Sequence, residues 1–181
     1  MILDKGAKNC IFLGANSDLG RMFISLCRQK DLEVFALCRS EDECNSLKTD
    51  LKLNRALCYE SGDFNDKFCS MLDELKSTIL IDCVGGEIFG RIFSLMPECS
   101  EMILMGNLSN EDLKLSTTEF FLNNKRIIGF NILRYASEEL SDDRRKEFFK
   151  WIQDDINSGG KIFGAKIARE MNLDEWNKAI E

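Results

Sequence analysis

Residues 10–27 are Cys10-Ile-Phe-Leu-Gly-Ala-Asn-Ser-Asp-Leu-Gly20-Arg-Met-Phe-Ile-Ser-Leu-Cys27. They pass from an apolar run through small residues into apolar positions at helical spacing, which predicts a strand, a tight turn and a helix. The first N–H groups of such a helix have no partner within it, and with the helix dipole they form a seat for a phosphate. Small residues between a strand and a helix also serve ordinary close packing, so this segment alone leaves both interpretations open.

Five more apolar runs of strand length follow, and helical patterns separate them. The six predicted strands are 9–13, 33–38, 55–59, 78–84, 101–105 and 126–133. Their apolar runs alternate little with polar residues, as in strands covered on both faces. The cadence predicts an α/β fold, namely a doubly wound parallel six-stranded sheet with helices on both faces, in a single domain covering residues 1–181. An extended segment at 161–168 and a terminal helix at 173–180 are predicted to complete it.

Charge and residue usage exclude several classes of function. The net charge of −7 argues against nucleic acid or an anionic membrane as the main partner, because either needs a basic face. The longest uncharged apolar stretch is far shorter than the roughly 18 to 20 residues that span a bilayer, which predicts a soluble protein without membrane insertion. The chain has no histidine, so the commonest general base is missing and no catalytic residue is nominated.

The 8 cysteines fall singly in apolar or amphipathic runs. No Cys-x-x-Cys pair occurs and no secretory signal precedes Cys10, so neither a disulfide framework nor a zinc site is indicated. Free cysteine behaves as a small hydrophobic residue. We therefore expect reduced, mostly buried thiols, no metal, and an intracellular reducing compartment, either cytoplasm or mitochondrion.

Three predicted strands end in small residues at one edge of the sheet. The first is followed by Gly14-Ala-Asn-Ser17, the fourth by Gly85-Gly86 and the fifth by Gly106-Asn107. In doubly wound sheets, ligands bind outside the carboxyl ends of the strands, where the strand order reverses. Glycine lets a ligand approach the backbone there, although it is also a plain turn residue. The three ends together favour a ligand site.

The end of the second strand indicates which dinucleotide such a site prefers. Arg39 and Ser40 lie 19 and 20 residues after Gly20. An acidic residue at this place holds the ribose 2′-hydroxyl of NAD, whereas a nearby arginine suits the 2′-phosphate of NADP. A guanidinium can clamp a phosphate with two parallel hydrogen bonds. The alternative is a surface arginine beside the acidic pair Glu41 and Asp42; we expect the phosphate role and hence NADP(H).

The sequence resembles the medium-chain dehydrogenase/reductase superfamily, in particular its zinc-free quinone oxidoreductase and mitochondrial 2-enoyl thioester reductase branch. The resemblance covers nearly the whole chain, and its motifs occur in the family's order: Gly14-Ala-Asn-Ser-Asp-Leu-Gly-Arg-Met22, Cys38-Arg39, Ile81-Asp-Cys-Val-Gly-Gly86, Met105-Gly-Asn-Leu-Ser109 and Ile128-Gly-Phe-Asn131. The competing short-chain dehydrogenases need a Tyr-x-x-x-Lys pair. Tyr59 and Tyr135 are instead followed four residues on by Asp63 and Glu139, so that family is disfavoured.

The resemblance implies a Rossmann fold and a set of NADP(H) contacts. Between Gly14 and Gly20, it implies that the turn of Asn16, Ser17, Asp18 and Leu19 holds the pyrophosphate. It assigns the 2′-phosphate to Arg39 and Ser40, and the path from adenosine to nicotinamide to Val84, Gly85, Gly106 and Leu108. Phe130, on the predicted sixth strand, is implied to lie near the nicotinamide.

The resemblance also shapes the expected function and partners. Full-length members begin with a GroES-like catalytic domain, which we expect to be absent from this chain. The implied activity is hydride transfer to a quinone or an enoyl thioester, only when a catalytic domain complements this NADP(H)-binding one. The expected partner besides the dinucleotide is a second copy, pairing through Ile127 to Leu133, or a separate catalytic-lobe polypeptide. The alternative is a non-catalytic structural or scaffold subunit that retains the fold.

Overall fold

The computed structural model of the chain describes residues 6–165, 167 and 170–179. At its centre is one six-stranded sheet with strands β1 Asn9–Leu13, β2 Glu33–Cys38, β3 Ala56–Cys58, β4 Ile79–Asp82, β5 Glu101–Leu104 and β6 Arg126–Gly129. Its strands pair in parallel in the order β3-β2-β1-β4-β5-β6. The predicted α/β fold is confirmed, and the strand order reverses between β1 and β4.

The connections between strands are mostly helical. The helices are α1 Asp18–Gln29, α2 Glu41–Asp50, α3 Phe64–Leu75, α4 Gly86–Leu95, α5 Thr117–Leu122, α6 Ile132–Arg134 and α7 Asp142–Asn157. A π-helical turn, Tyr135–Glu139, follows α6, and a 3-10 helix covers Leu173–Ala179. The last residue of the predicted terminal helix, Ile180, lies outside the described residues. Within the described ranges, no helix is both long and apolar enough to cross a bilayer.

Alternate residues of β1 belong to two hydrophobic cores on opposite faces of the sheet. Cys10 and Phe12 pack with side chains of α1 and α2, whereas Ile11 and Leu13 pack with side chains of α3 and α4. All four residues have no exposed surface. Helices therefore cover both faces of the central strand, and the side-chain period of two explains why β1 is apolar throughout.

The sixth strand is shorter than predicted. Strand geometry ends at Gly129, and the prediction is wrong for the remaining residues up to Leu133. The side chain of Asn131 accepts the N–H groups of Leu133 at 3.0 Å and of Arg134 at 3.1 Å. This side-chain N-cap begins the short helix α6, because it satisfies backbone donors that strand pairing would otherwise have to satisfy.

The predicted extended segment at 161–168 is also wrong in its first part. Residues 161–163 form a turn, in which the carboxylate of Asp155 accepts the N–H groups of Ile162 at 3.0 Å and Phe163 at 2.9 Å. These bonds fold the chain back against the end of α7. Positions 166 and 168 lie outside the described residues.

Candidate functional site

The turn between β1 and α1 lies where the strand order reverses. The hydroxyl of Ser17 accepts the N–H of Gly20 at 3.1 Å and thereby caps α1. The first hydrogen bond inside this helix runs from the N–H of Arg21 to the carbonyl of Ser17, at 2.9 Å. The N–H groups of Asp18 and Leu19 therefore have no partner within the helix. These two N–H groups, together with the positive end of the helix dipole, fit the predicted phosphate-binding site.

Arg21 holds this turn against α2. Its Nη2 atom donates to Oδ1 of Asn16 at 2.7 Å and to the hydroxyl of Ser46 at 2.6 Å, while Nη1 donates to the carboxylate of Asp50 at 3.0 Å. The amide side chain of Asn16 is thus oriented by a bond from α1. Sequence reasoning missed Arg21, because its partners on α2 lie 25 and 29 residues away and no local pattern connects them.

A buried carboxylate shapes the neighbouring turn after β4. Asp82 has no exposed surface, and its two oxygens accept the N–H groups of Val84 at 2.7 Å and Gly85 at 2.9 Å. Burial raises the pKa of Asp82 to about 6, while the two N–H groups oppose that rise. Gly85 has a φ of 72°, which a residue with a side chain adopts only with strain. Asp82 was missed because a single acidic residue at a strand end has no local signature.

Arg39 lies directly after β2, and its guanidinium already has a partner. Its Nε atom donates to Oε1 of Glu60 at 2.9 Å, and its backbone N–H donates to Oε2 of Glu43 at 2.8 Å. The hydrogen bond and charge of Glu60 raise the pKa of Arg39. Arg39 is exposed, as the alternative of a surface arginine predicts, and its ion pair is with Glu60, 21 positions along the chain.

Ser40 begins α2 as its N-cap. Its hydroxyl accepts the N–H of Glu43 at 3.2 Å. The carboxylate of Glu43 returns to the backbone of Arg39, the residue before the cap. The hydroxyl predicted to contact a 2′-phosphate therefore also secures the first turn of this helix.

A cleft of about 640 Å³ opens at the carboxyl ends of the strands, and we call it the switch-point cleft. Six of the predicted contact residues line it: Gly14, Asn16, Ser17, Arg39, Val84 and Leu108. Seven further residues complete the lining: Glu43, Tyr59, Glu60, Glu87, Ile88, Ser109 and Glu111. One arginine thus faces four glutamates, which is an acidic surrounding for an anionic ligand.

The other predicted contacts lie apart from this cleft or are covered. Gly106 and Phe130 line a second depression of about 480 Å³ at the ends of β5 and β6. The ring of Phe130 lies 5.5 Å from that of Tyr135, centroid to centroid. Gly20 and Gly85 are buried, so they can shape the two turns but are covered from a ligand. Asp18 and the half-exposed Leu19 begin α1. The structure therefore brings the turn, Arg39 and the β4 end together, while Phe130 stands in the separate depression.

The cysteines are free thiols. Six are buried, and Cys69 and Cys99 are exposed. Burial is the main cause that raises the pKa of Cys38 and of Cys44. In the part of the chain that the structure describes, no group of three or more Cys, Asp or Glu side chains is arranged to hold a metal ion.

Comparison with curated proteins shows similarity to enoyl-[acyl-carrier-protein] reductases. A mitochondrial enoyl-[acyl-carrier-protein] reductase of Caenorhabditis elegans is 24% identical over 169 residues, covering 93% of this chain and 48% of the relative. No family model matches the chain. The match lies in the branch identified from the sequence motifs, so that resemblance is confirmed.

Solved structures show the same fold. A candidate NADPH:quinone reductase of Mesorhizobium loti superposes with a TM-score of 0.77 at 20% identity, over 87% of this chain and 45% of that protein. A mitochondrial 2-enoyl thioester reductase heterodimer of Candida tropicalis superposes with a TM-score of 0.71 at 16% identity, over 97% of this chain and 51% of that protein. The chain spans about half the length of each of these proteins.

Proposed function

We propose that this chain is the NADP(H)-binding domain of a zinc-free medium-chain oxidoreductase of the quinone or enoyl thioester reductase type. One observation carries the proposal: Asn16, Ser17 and Arg39 line a single cleft at the point where the strand order reverses. The N–H groups that begin α1 fit a pyrophosphate, and the guanidinium fits a 2′-phosphate. The reductases to which the chain is similar support this assignment.

The division of labour follows from the chemistry of the cofactor. A bound nicotinamide dinucleotide supplies the hydride, while the protein binds and orients the cofactor. Val84, Gly85 and Leu108 are proposed to flank the path from adenosine to nicotinamide, with Gly106 and Phe130 at the nicotinamide end. We nominate no acid or base within the described residues. Turnover is therefore proposed to need a complementing catalytic domain.

Titration of the purified chain with NADPH and with NADH tests the function, with cofactor fluorescence as the signal. We expect saturable binding of NADPH that is tighter than that of NADH, because only the former offers a phosphate to Arg39. Equilibrium dialysis provides an independent readout. Absence of saturable binding of either dinucleotide at millimolar concentrations would overturn the proposal.

A second candidate function is a non-catalytic structural subunit. The acidic lining of the switch-point cleft favours it, since Glu43, Glu87 and Glu111 repel a dinucleotide. A subunit of this kind keeps the sheet and its edges but does not bind cofactor. The same titration separates the two candidates, because the structural role predicts no saturation with either dinucleotide.

For either function we propose self-association through the free edge of β6. This strand is the last of the sheet, and the helices before and after it carry the exposed apolar side chains of Phe121, Leu122 and Leu133. An unpaired strand edge is a template for pairing with another chain. Only residues 127–129 of the predicted pairing segment are in strand geometry. A second copy is the proposed occupant, and a separate catalytic-lobe polypeptide is the alternative.

Gly129→Pro is expected to weaken this association by about 30-fold, because a symmetric pairing loses two hydrogen bonds of about 1 kcal/mol each. The N–H groups of Arg126 and Phe130 donate to the β5 side, at Ser100 and Leu104. Amide direction alternates along a strand, so the N–H of Gly129 points to the free edge. Sedimentation velocity over a concentration series gives the dissociation constant.

Gly129→Ala is the matched control, since a Cβ at this position meets no atom within 4 Å. It keeps the N–H and should associate like the unsubstituted chain. Equal dissociation constants for the proline and alanine variants, or a monomer at all concentrations, would contradict the proposed pairing.

A further inference from the structure

The residues that follow β2 and β3 lie next to each other in the lining of the switch-point cleft. Cys38 and Cys58 are paired in register at the ends of these strands. The chain segments that follow these two cysteines therefore lie close together. The guanidinium of Arg39 meets the carboxylate of Glu60, two positions after Cys58, at 2.9 Å. Both side chains remain accessible, at 73% for Arg39 and 58% for Glu60. The pair is thus open to competition from a ligand in solution.

Glu60 differs from the other glutamates of the cleft in its partner. Glu43 is held by the backbone N–H of Arg39, and Glu87 lies 3.6 Å from the ammonium of Lys114. Glu111 lies against the turn glycine Gly86. Among the ion pairs of the described residues, the one made by the Arg39 guanidinium is with Glu60. Glu60 therefore occupies a donor that a bound phosphate would use.

We infer that Glu60 is a specificity-determining residue for the dinucleotide, because its carboxylate competes with the 2′-phosphate for Arg39. The inference rests on the proposed function. NADPH has to displace or share this counter-ion and also meets its negative charge. NADH carries a 2′-hydroxyl instead, which leaves the Arg39–Glu60 pair in place. Glu60 thus lowers the preference for NADPH that Arg39 creates.

The expected size of the effect follows from the exposure of the pair. An exposed ion pair changes an equilibrium by roughly two- to fivefold, because water and salt screen it. Repulsion between the carboxylate and a nearby phosphate dianion adds a further factor of similar size. Removing the charge of Glu60 should therefore tighten NADPH binding by about tenfold in total.

The experiment compares Glu60→Gln with the unsubstituted chain by fluorescence titration of NADPH and NADH at low and high salt. We expect NADPH to bind about tenfold more tightly to Glu60→Gln and NADH to change by less than about twofold, with the NADPH gain shrinking at high salt. Glu111→Gln is the matched control: it removes the same charge from the same cleft without touching Arg39. Its gain for NADPH should stay within about twofold.

An Arg39→Gln background isolates the competition. There, Glu60→Gln should keep only the roughly two- to fivefold gain that comes from relieved repulsion, because the contested donor is gone. An unchanged NADPH to NADH ratio in Glu60→Gln, an equal gain in Glu111→Gln, or a full gain without Arg39 overturns the inference while the proposed function stands. Failure of both the unsubstituted chain and Glu60→Gln to bind either dinucleotide overturns the function and the inference together.

Discussion

Gly20→Ala is expected to lower the free energy of unfolding by about 3 kcal/mol, although alanine is the better helix former by about 1 kcal/mol. Gly20 is buried in the first turn of α1. A Cβ there would overlap the carbonyl oxygen of Ala15 and lie 2.7 Å from its carbonyl carbon, well inside contact distance. Both atoms belong to backbone, so no flexible side chain can move aside, and α1 has to shift away from the turn.

Urea unfolding followed by circular dichroism measures this loss. Gly62→Ala is the control, because a Cβ at that position meets nothing within 4 Å. That variant should stay within about 0.5 kcal/mol of the unsubstituted protein. The sign is decisive: without the close approach, alanine in a helix would stabilise the protein. A Gly20→Ala variant as stable as the control would show that the turn and α1 are not in the contact described.

The close contact between Gly20 and Ala15 explains why residues 10–27 predict so much of the fold. A small residue is needed where helix and turn backbones touch, and a serine is needed where the helix begins; both are local requirements that Gly20 and Ser17 display in the sequence. Buried parallel strands likewise appear as apolar runs of strand length. The six parallel strands and the sheet edge that carries the turns were predictable for these local reasons.

The contacts of Arg21 and of the Arg39 guanidinium escaped prediction because their partners are distant in the sequence. Arg21 meets Ser46 and Asp50 only because α1 and α2 pack on the same face of the sheet. Arg39 meets Glu60 only because β2 and β3 are neighbours. At Asn131 the cause is local instead. Its side chain caps α6 and ends strand geometry within an apolar run that predicts a longer strand. Pairings of this kind depend on the assembled sheet, which periodicity does not encode.

The acidic lining of the switch-point cleft changes the NADPH affinity that Arg39 alone would predict. An arginine after β2 is the expected sign of a 2′-phosphate site, but its effect depends on the charges around it. Here, Glu43 and Glu60 both contact Arg39, one through the backbone and the other through the guanidinium. The proposed NADPH preference is therefore a balance between one cation and nearby carboxylates. Weakening the cation should shift that balance further than removing any single glutamate.

Arg39→Glu is expected to weaken NADPH binding by about 100-fold, because two charge-assisted hydrogen bonds are lost and a repulsive carboxylate takes their place. NADH binding should change by less than about threefold, since its 2′-hydroxyl gains an acceptor where NADPH loses a donor. The preference between the two dinucleotides therefore inverts. Parallel fluorescence titrations of both cofactors, with circular dichroism to verify folding, measure the inversion.

The control has to separate the local contact from the change of net charge. Arg144→Glu makes the same change on an exposed residue of α7 whose ion pair is with Glu147, outside the lining of the switch-point cleft. Its NADPH affinity should fall by no more than about twofold, through the screened long-range field alone. Equal losses in the two variants would assign the effect to net charge. Tight NADPH binding by Arg39→Glu would remove Arg39 from the site, and with it the reason to expect NADPH over NADH.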